Sequence, residues 1–275
     1  MGRGGRSVAT IESPANPTVR MLRELHTHEG RIEHGAFLIE GVRLVAEALA
    51  TSWSLLAVLY DPERARADSQ LASLVAAIPG SMPASPRAIR HASDTVTPQG
   101  IVAAARMPTF SGAIDPTEPL VLVMDGIADP GNAGTMLRSA LASGVRTVLA
   151  TRGSVDLFAP KVVRSGMGAH FRLNLATELG WPRISELLGP GRALVVAQAR
   201  ASLAYYRYNW LDRAALIVGS EAHGPSTDSL QQATAHVAIP LEAGVESLNA
   251  AVAASVILFE AKRQREVSST VVSSE

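Results

Sequence analysis

Five short apolar runs, interspersed with stretches of helical spacing, constrain the second half of this chain more than any other feature. They are Leu120–Met124, Thr147–Ala150, Ala193–Ala197, Ala215–Val218 and His236–Ile239. A strand that is apolar on both sides is covered on both faces, and helices between successive strands supply the crossovers of a parallel sheet. Helices are predicted at about Gly134–Ser143, Pro160–Met167, Pro182–Leu188 and Thr227–Ala233, followed by a long final helix over Leu248–Gln264. Between Ala250 and Phe259 that helix has one polar residue, Ser255, so it is expected to be buried within the domain or against another subunit.

The first part alternates in the same way on shorter elements. Pro17–Thr27 has helical spacing, Ala36–Glu40 (AFLIE) reads as a strand ended by Gly41, Val42–Ala50 as a helix and Leu55–Tyr60 as a strand. Ser69–Ile78 reads as a helix, and Arg87–His91 and Ile101–Arg106 as strands, which together make a compact α/β domain. Pro108–Pro119 (PTFSGAIDPTEP) has no apolar periodicity and reads as an interdomain connection. The organisation expected is therefore a small domain over 1–107, a linker over 108–118, a parallel-sheet α/β domain over 119–264 and a frayed, flexible tail over 265–275.

Composition removes several classes of function. With 47% apolar and 18% charged residues, the 275-residue chain has material for a sizeable core. It contains no cysteine, which excludes a disulfide framework, a thiol nucleophile and any cysteine-built zinc or iron–sulfur centre. Twenty-five basic residues balance twenty-five acidic ones, so any nucleic-acid partner must be met by local patches. The basic residues are almost all arginine, the exceptions being Lys161 and Lys262, and arginine suits bidentate phosphate recognition. Met1–Ala9 lacks the hydrophobic segment of a signal peptide, and no apolar run approaches the roughly 20 residues that span a bilayer. A cytoplasmic protein without a membrane partner is expected. His26, His28 and His223 have no metal-spaced partners and read as solvent-facing, so no metal site is expected.

Ligands of open parallel sheets bind beyond the carboxyl ends of the strands. Three segments at such ends are rich in glycine and uncharged polar residues: Asp129–Ala140 (DPGNAGTMLRSA), Ile217–Pro225 (IVGSEAHGP) and Ile239–Ala251 (IPLEAGVESLNAA). In the first, Pro130-Gly131-Asn132 reads as a turn before a helix that starts near Gly134. On one helix Asn132 and Arg138 would lie about 240° out of phase, so they face one site only with Asn132 in the turn. Ala133, Leu137, Ala140 and Leu141 form a core stripe, and Gly134, Arg138 and Ala142 an adjacent small-residue face with one long cation. That face suits close approach of a ligand or a second subunit; an ordinary solvent-facing Arg138 is the plainer reading. In the second segment, a tight turn at Gly219-Ser220-Glu221 exposes backbone polar groups and one carboxylate, or simply leaves Glu221 solvated. In the third, Ser247 reads as the N-cap of the last helix. A dinucleotide fingerprint, a phosphate loop and a GxSxG elbow are all missing from the sequence.

Taken together and in this order, the three segments resemble the motifs of the SpoU/TrmH family of RNA ribose 2′-O-methyltransferases, within the SPOUT superfamily. The third extends as IPLEAGVESLNAAVA (239–253), and the resemblance covers roughly 119–264, including Ala159–Leu173 (APKVVRSGMGAHFRL). The first domain is similar to the substrate-binding domain of many members, through Asn16-Pro17, Arg31, Phe37–Gly41 (FLIEG) and Thr97–Ile101 (TPQGI). The resemblance implies a C-terminal trefoil knot, an exception to the rule that chains are unknotted. It also implies S-adenosylmethionine as methyl donor, held by the loops Ala197–Ala199, Gly219–Gly224 and Ile239–Leu248. Gly219, Ile239, Leu248, Ala197 and Leu241 are the implied cofactor contacts. A homodimer through the knot region is implied too, with Arg138 reaching toward the methyl donor of the other subunit.

The catalytic set carried over from the family is Arg138, Asn132, Glu221, Ser247 and Asn249. The family's arginine is proposed as a general base, yet a guanidinium has no acceptor and keeps its proton above about pH 12. A charged Arg138 that clamps an RNA phosphate and stabilises the developing alkoxide is the other reading. Asn132 would position Arg138 or the ribose, Glu221 would fix its loop, and Ser247 and Asn249 would organise the cofactor loop. Arg31 and Arg43 flank the FLIEG string and are the RNA-contact candidates of the first domain, on a surface of mixed charge. Members with this layout mostly modify ribosomal RNA. The expected reaction is thus methylation of a ribose 2′-hydroxyl in large-subunit (23S) ribosomal RNA. Transfer RNA as substrate, or a catalytically silent RNA-binding or ribosome-assembly factor on the same fold, are the alternatives.

Overall fold

The computed structural model describes residues 9–272, with side chains to residue 268. The reading of Met1–Ala9 lies, except for Ala9, outside the described residues, as do the last three residues of the expected tail. The chain divides into two units: residues up to Met107 together with Phe158–Arg164, and Pro108–Leu157 together with the residues from Ser165 onward.

In the first unit, α1 (Pro17–Glu24), α2 (His28–His34), β1 (Ala36–Glu40), α3 (Val42–Ala50) and β2 (Leu55–Tyr60) are followed by α4 (Pro62–Ala67), α5 (Ser69–Ala76), β3 (Met82–Pro83), α6 (Pro86–Ala92) and β4 (Ile101–Arg106). The sheet order is β1-β4-β2-β3, with β4 antiparallel to both its neighbours and β2 parallel to β3. Val19, Leu22, Leu38, Leu59, Ile89 and Val102 build its core. The strand expected at Arg87–His91 is instead the helix α6. Ser85 caps it by accepting from the Ala88 amide, Pro86 stands in its first turn, and Ala88, Ile89 and Ala92 are buried at helical spacing. α2 was not anticipated, although Thr27 accepts from the Gly30 amide at its start and left-handed Gly35 ends it. Within the same unit Phe158 packs on Phe37 at 5.3 Å between ring centroids, and Arg164 pairs with Asp94 at 2.7 Å.

The second unit begins with β5 (Leu120–Asp125), α7 (Pro130–Ala142) and β6 (Thr147–Thr151); after α8 (Pro160–Gly166), whose residues up to Arg164 belong to the first unit, it continues with β7 (Asn174–Leu179), α9 (Trp181–Leu188) and β8 (Ala193–Ala197). The short β9 (Leu203–Ala204), β10 (Ala214–Gly219), α10 (Thr227–Gln232), β11 (Ala235–Ala238) and α11 (Ala250–Val272) complete it. Its seven strands run in the order β7-β6-β5-β10-β8-β11-β9, and every pairing is parallel, as the apolar runs predicted. β7 and β9 carry no comparable apolar run and went unread. One core layer joins Val121, Val123, Leu149, Ile217 and Val196 to Trp181, Ile184 and Leu188 of α9.

The stretch read as a linker lies along this unit: Phe110 and Ile114 pack on that layer, and Glu118 is buried. α11 continues beyond Gln264 to Val272, because Gln264 accepts from the Trp210 amide and donates to the Tyr208 carbonyl, anchoring the helix past its expected end. It is also not buried all round. Ala250, Ala254, Ile257, Leu258 and Ala261 face inward, while Val252 and Phe259 are 48% and 46% exposed. Among the described residues no helix is long and apolar enough to cross a membrane, and no group of side chains could hold a metal ion.

Candidate active site

β10 ends at Gly219, and the chain turns back on itself at once. A Cβ at Gly219 would lie 2.2 Å from the Pro225 nitrogen and 2.3 Å from the Gly224 carbonyl carbon, so only glycine allows the loop to fold over the strand end. Ser220 and Gly224 close the knuckle through paired backbone hydrogen bonds of 3.1 and 2.9 Å. Asp125, buried at the end of neighbouring β5, accepts from the Ser226 amide at 2.7 Å and pins the exit of the loop.

Beside this knuckle opens a cavity of about 560 Å³, within the size range of small-molecule and cofactor sites. The ends of β8, β10 and β11 and the start of α11 surround it. All five residues expected to hold the cofactor, Ala197, Gly219, Ile239, Leu241 and Leu248, line it. Glu221, Ser247 and Asn249 of the expected catalytic set line it as well. Leu230, Val237 and Ile257 add apolar wall, and Gln198 adds an amide.

A chain of side-chain hydrogen bonds ties the three motif segments together. Asn249 Nδ2 donates to Asn132 Oδ1 at 2.9 Å, and Asn132 Nδ2 donates to Glu221 Oε1. The other end of Asn249 caps α11, its Oδ1 accepting from the Ala251 and Val252 amides at 3.0 and 3.2 Å. The N-cap function expected of Ser247 thus belongs to Asn249, and Ser247 is left exposed in the cavity wall. Glu221 is engaged by Asn132 rather than merely solvated.

Asn132 is not in a turn, as expected, but in the first turn of α7. Asp129 is the helix cap, accepting from the Asn132 amide at 2.7 Å, with Pro130 at the first helical position. Asn132 and Arg138 therefore do share one helix, and the phase difference of about 240° separates them. Arg138 is exposed, does not line the cavity, and makes no hydrogen bond or ion pair among the described residues. The structure brings together four of the five expected catalytic residues and leaves Arg138 apart. α11 runs beside it, since Ser139 Oγ lies 2.7 Å from Ser255 Oγ.

Three expectations about single residues change. Arg31 is 3% exposed and donates to the Leu25 carbonyl at 2.8 Å, so it locks α2 to the end of α1 and is not an RNA contact, whereas Arg43 is exposed on α3. His26 is not solvent-facing: its ring lies 2.9 Å from the Ala92 carbonyl oxygen and 3.5 Å from Asp94. His223 is exposed, as expected, but it also lines the cavity. Gln198 lies in the Ala197–Ala199 loop that the resemblance implied and lines the cavity, whereas Arg200, one residue beyond that loop, went unnoticed in the sequence although it follows a strand end, where ligands of such sheets bind.

Comparison with known proteins agrees with this geometry. Residues 119–259 match the model of the SpoU rRNA methylase family, and 16–103 match an MRM3-like substrate binding domain. A Synechocystis protein described as an uncharacterized tRNA/rRNA methyltransferase is 35% identical, over 96% of this chain and 97% of its own. The Bacillus subtilis 23S rRNA (guanosine(2553)-2′-O)-methyltransferase RlmP is 33% identical, over 90% of this chain and 97% of its own. The crystal structure of the SpoU methyltransferase AviRb from Streptomyces viridochromogenes, in complex with AdoMet, superimposes with a TM-score of 0.84 at 26% identity, covering 91% of this chain and 98% of that one. With the second and third motif segments lining one cavity, the first hydrogen-bonded to both, and over half of the sequence matching a single family model, this chain belongs to the SpoU rRNA methylase family.

Proposed function

We propose that this protein methylates a ribose 2′-hydroxyl of large-subunit ribosomal RNA, using S-adenosylmethionine and acting as a homodimer. The observation that carries the reading is the cavity at the ends of β8, β10 and β11, whose Glu221 and Asn249 are both tied to Asn132 of α7 by side-chain hydrogen bonds. The lining suits the donor's mixed character. Leu230, Val237, Ile239 and Leu248 offer apolar surface for a purine, and Gln198, Ser247 and Asn249 offer hydrogen bonds. When bound, S-adenosylmethionine supplies a methyl group on a sulfonium that is already a good leaving group.

The chain's own residues do the positioning. Gly219 permits the knuckle, Asn249 fixes the start of α11, and Asn132 and Glu221 hold α7 and the 219–225 loop in register. Such fixed placement lowers the barrier when an alcohol attacks an activated methyl, because the entropy of bringing the reactants together is met on binding. Arg138 enters from the partner subunit in this reading. The exposed Val252 and Phe259 on α11, beside the exposed Arg138 on α7, support a dimer face there. Its guanidinium has five donors and no acceptor, so it serves as a charge for the RNA phosphate and the developing alkoxide. The strand order, with β10 set between the earlier β5 and β8, and α11 returning to α7, supports the trefoil knot of the family. The MRM3-like domain and the ribosomal substrate in the name of the Bacillus relative support ribosomal RNA over transfer RNA.

The test is transfer of labelled methyl from S-adenosylmethionine to unmodified 23S ribosomal RNA and, separately, to unmodified transfer RNA, followed by alkaline digestion. A 2′-O-methyl group blocks cleavage of the adjoining phosphodiester, so label is expected in an alkali-resistant dinucleotide from ribosomal RNA. Label in transfer RNA alone would overturn the substrate; label in neither would overturn catalysis. The Arg138→Ala protein is expected to lose turnover while still binding S-adenosylmethionine, and to regain activity when mixed with a cofactor-binding variant if the site is shared between subunits.

A further inference from the structure

One wall of the cavity lies outside all three motif segments. β8 ends at Ala197, and Gln198, Ala199 and Arg200 carry the chain past it into the lining. The backbone there is fixed: the Gln198 amide donates to the Val237 carbonyl of β11 at 2.9 Å, and the Ala201 amide closes a turn onto the Gln198 carbonyl at 3.1 Å. Arg200 projects from that turn. It is exposed, and no carboxylate or carbonyl among the described residues engages its guanidinium.

The charges of the lining are unevenly distributed. Arg200 is the one arginine or lysine among the described lining residues, and Glu221, the one carboxylate, is already held by Asn132. A cation on a pinned turn, with its planar fork uncommitted and a largely apolar cavity beside it, matches the bidentate geometry of a carboxylate or phosphate. We infer that Arg200 seats an oxyanion at this cavity. The assignment rests on the methyltransferase reading, which offers two sources of that chemistry: the carboxylate of the donor's methionine moiety, or a phosphodiester of the RNA beside the target ribose.

Binding measurements on the full-length protein separate the two sources without relying on turnover. Titration calorimetry of wild type, Arg200→Ala and Arg200→Lys would use S-adenosylmethionine and its decarboxylated analogue. Affinity for an unmodified ribosomal RNA fragment would be followed against salt concentration. If the anion is the donor's carboxylate, Arg200→Ala weakens S-adenosylmethionine about tenfold, the size expected for one charge-assisted contact, and leaves the decarboxylated analogue within about twofold. If it is an RNA phosphate, both donors bind as in wild type, RNA affinity falls about tenfold, and the salt slope drops by about one. In either case Arg200→Lys recovers part of the loss, because it restores the charge without the fork. No change in any of these affinities overturns the assignment while leaving the methyltransferase reading intact. Equal loss of S-adenosylmethionine and its decarboxylated analogue also overturns it, by showing that Arg200 only holds the turn. A wild-type protein that binds neither donor nor RNA overturns the reading beneath it as well.

Discussion

The two ends of the seven-stranded sheet are built from the same strands and handle polar groups in opposite ways. At the end where the strands begin, charges are sealed in. Glu118 is 1% exposed, and its carboxylate accepts from the Arg146 and Thr147 amides and the Thr147 hydroxyl, all within 2.8 Å. Arg192 donates to the Ala214 carbonyl and Arg265 to that of Pro119, so guanidinium groups cap carbonyls at the starts of β10 and β5. Burial lowers the Arg192 pKa, opposed by Glu118 and helped by Arg213; burial and then Arg192 lower that of Arg265. At the end where the strands finish, the side chains are mostly uncharged, glycine folds the loops tightly, and Ser247 and Arg200 are left uncommitted around a cavity. The contrast teaches that burying ionised groups here serves closure of the fold, while binding depends on polar groups whose hydrogen bonds are still available.

If that division holds, the largest effect comes from breaking the sealed end. Glu118→Ala strands two amides, a hydroxyl and the neighbouring buried guanidinium, and is expected to cost about 3–5 kcal/mol in urea unfolding. A loss below about 1 kcal/mol would show that the end is wet rather than sealed.

Acid probes the scaffold behind the open end. His170 is fully buried in the connection after β6, its ring 2.7 Å from the Leu157 carbonyl oxygen. Burial holds the imidazole down at about 4, against the raising effects of that carbonyl and of Asp156. The folded value lies below the ordinary 6.5, so the unfolded chain takes up the proton first. The full contribution is present above pH 6.5 and is lost as pH falls from 6.5 toward 4, by at most about 1.4 kcal/mol per unit and about 3 in all. Unfolding of wild type and His170→Gln across that window should show a shallower slope in the variant; parallel slopes would remove His170 from the account.

At the open end itself, Gly219→Ala forces the knuckle apart. Affinity for S-adenosylmethionine should fall by one to two orders of magnitude, about 1–3 kcal/mol, while far-ultraviolet circular dichroism stays that of the wild type. Unchanged affinity would mean that the knuckle does not shape the cavity. The smallest effect is that of Asn249→Ala, expected to cost about 1 kcal/mol through loss of the α11 cap. Asn249→Asp should keep the cap but lose the donor to Asn132, separating stability from methyl transfer.

Much of the fold was legible because burial writes itself into apolar runs. β1, α3, β2, β4 and β8 lie where the sequence placed them, since each is a short hydrophobic segment bounded by glycine, proline or polar residues. The runs over Arg87–His91 and Pro130–Asn132 were misread because serine or aspartate followed by proline signals a helix start as well as a turn. Among the site residues, motif resemblance found those lining the cavity, but it gave Arg31 a surface role, since a charged residue carries no mark of burial in the sequence.

The sequence by itself determined the alternation of elements, the parallel sheet, the family and the three segments that form the site. Those properties depend on local composition and order along the chain. Only the tertiary structure decided that Asn249 rather than Ser247 caps α11, that Asn132 bridges Glu221 and Asn249, that Arg138 stands apart from them, and that Arg200 lines the cavity. The Asn132 contacts span 89 and 117 residues of chain. Which polar atom meets which at such separations is fixed by how the helices and strand ends pack, and no local pattern records it.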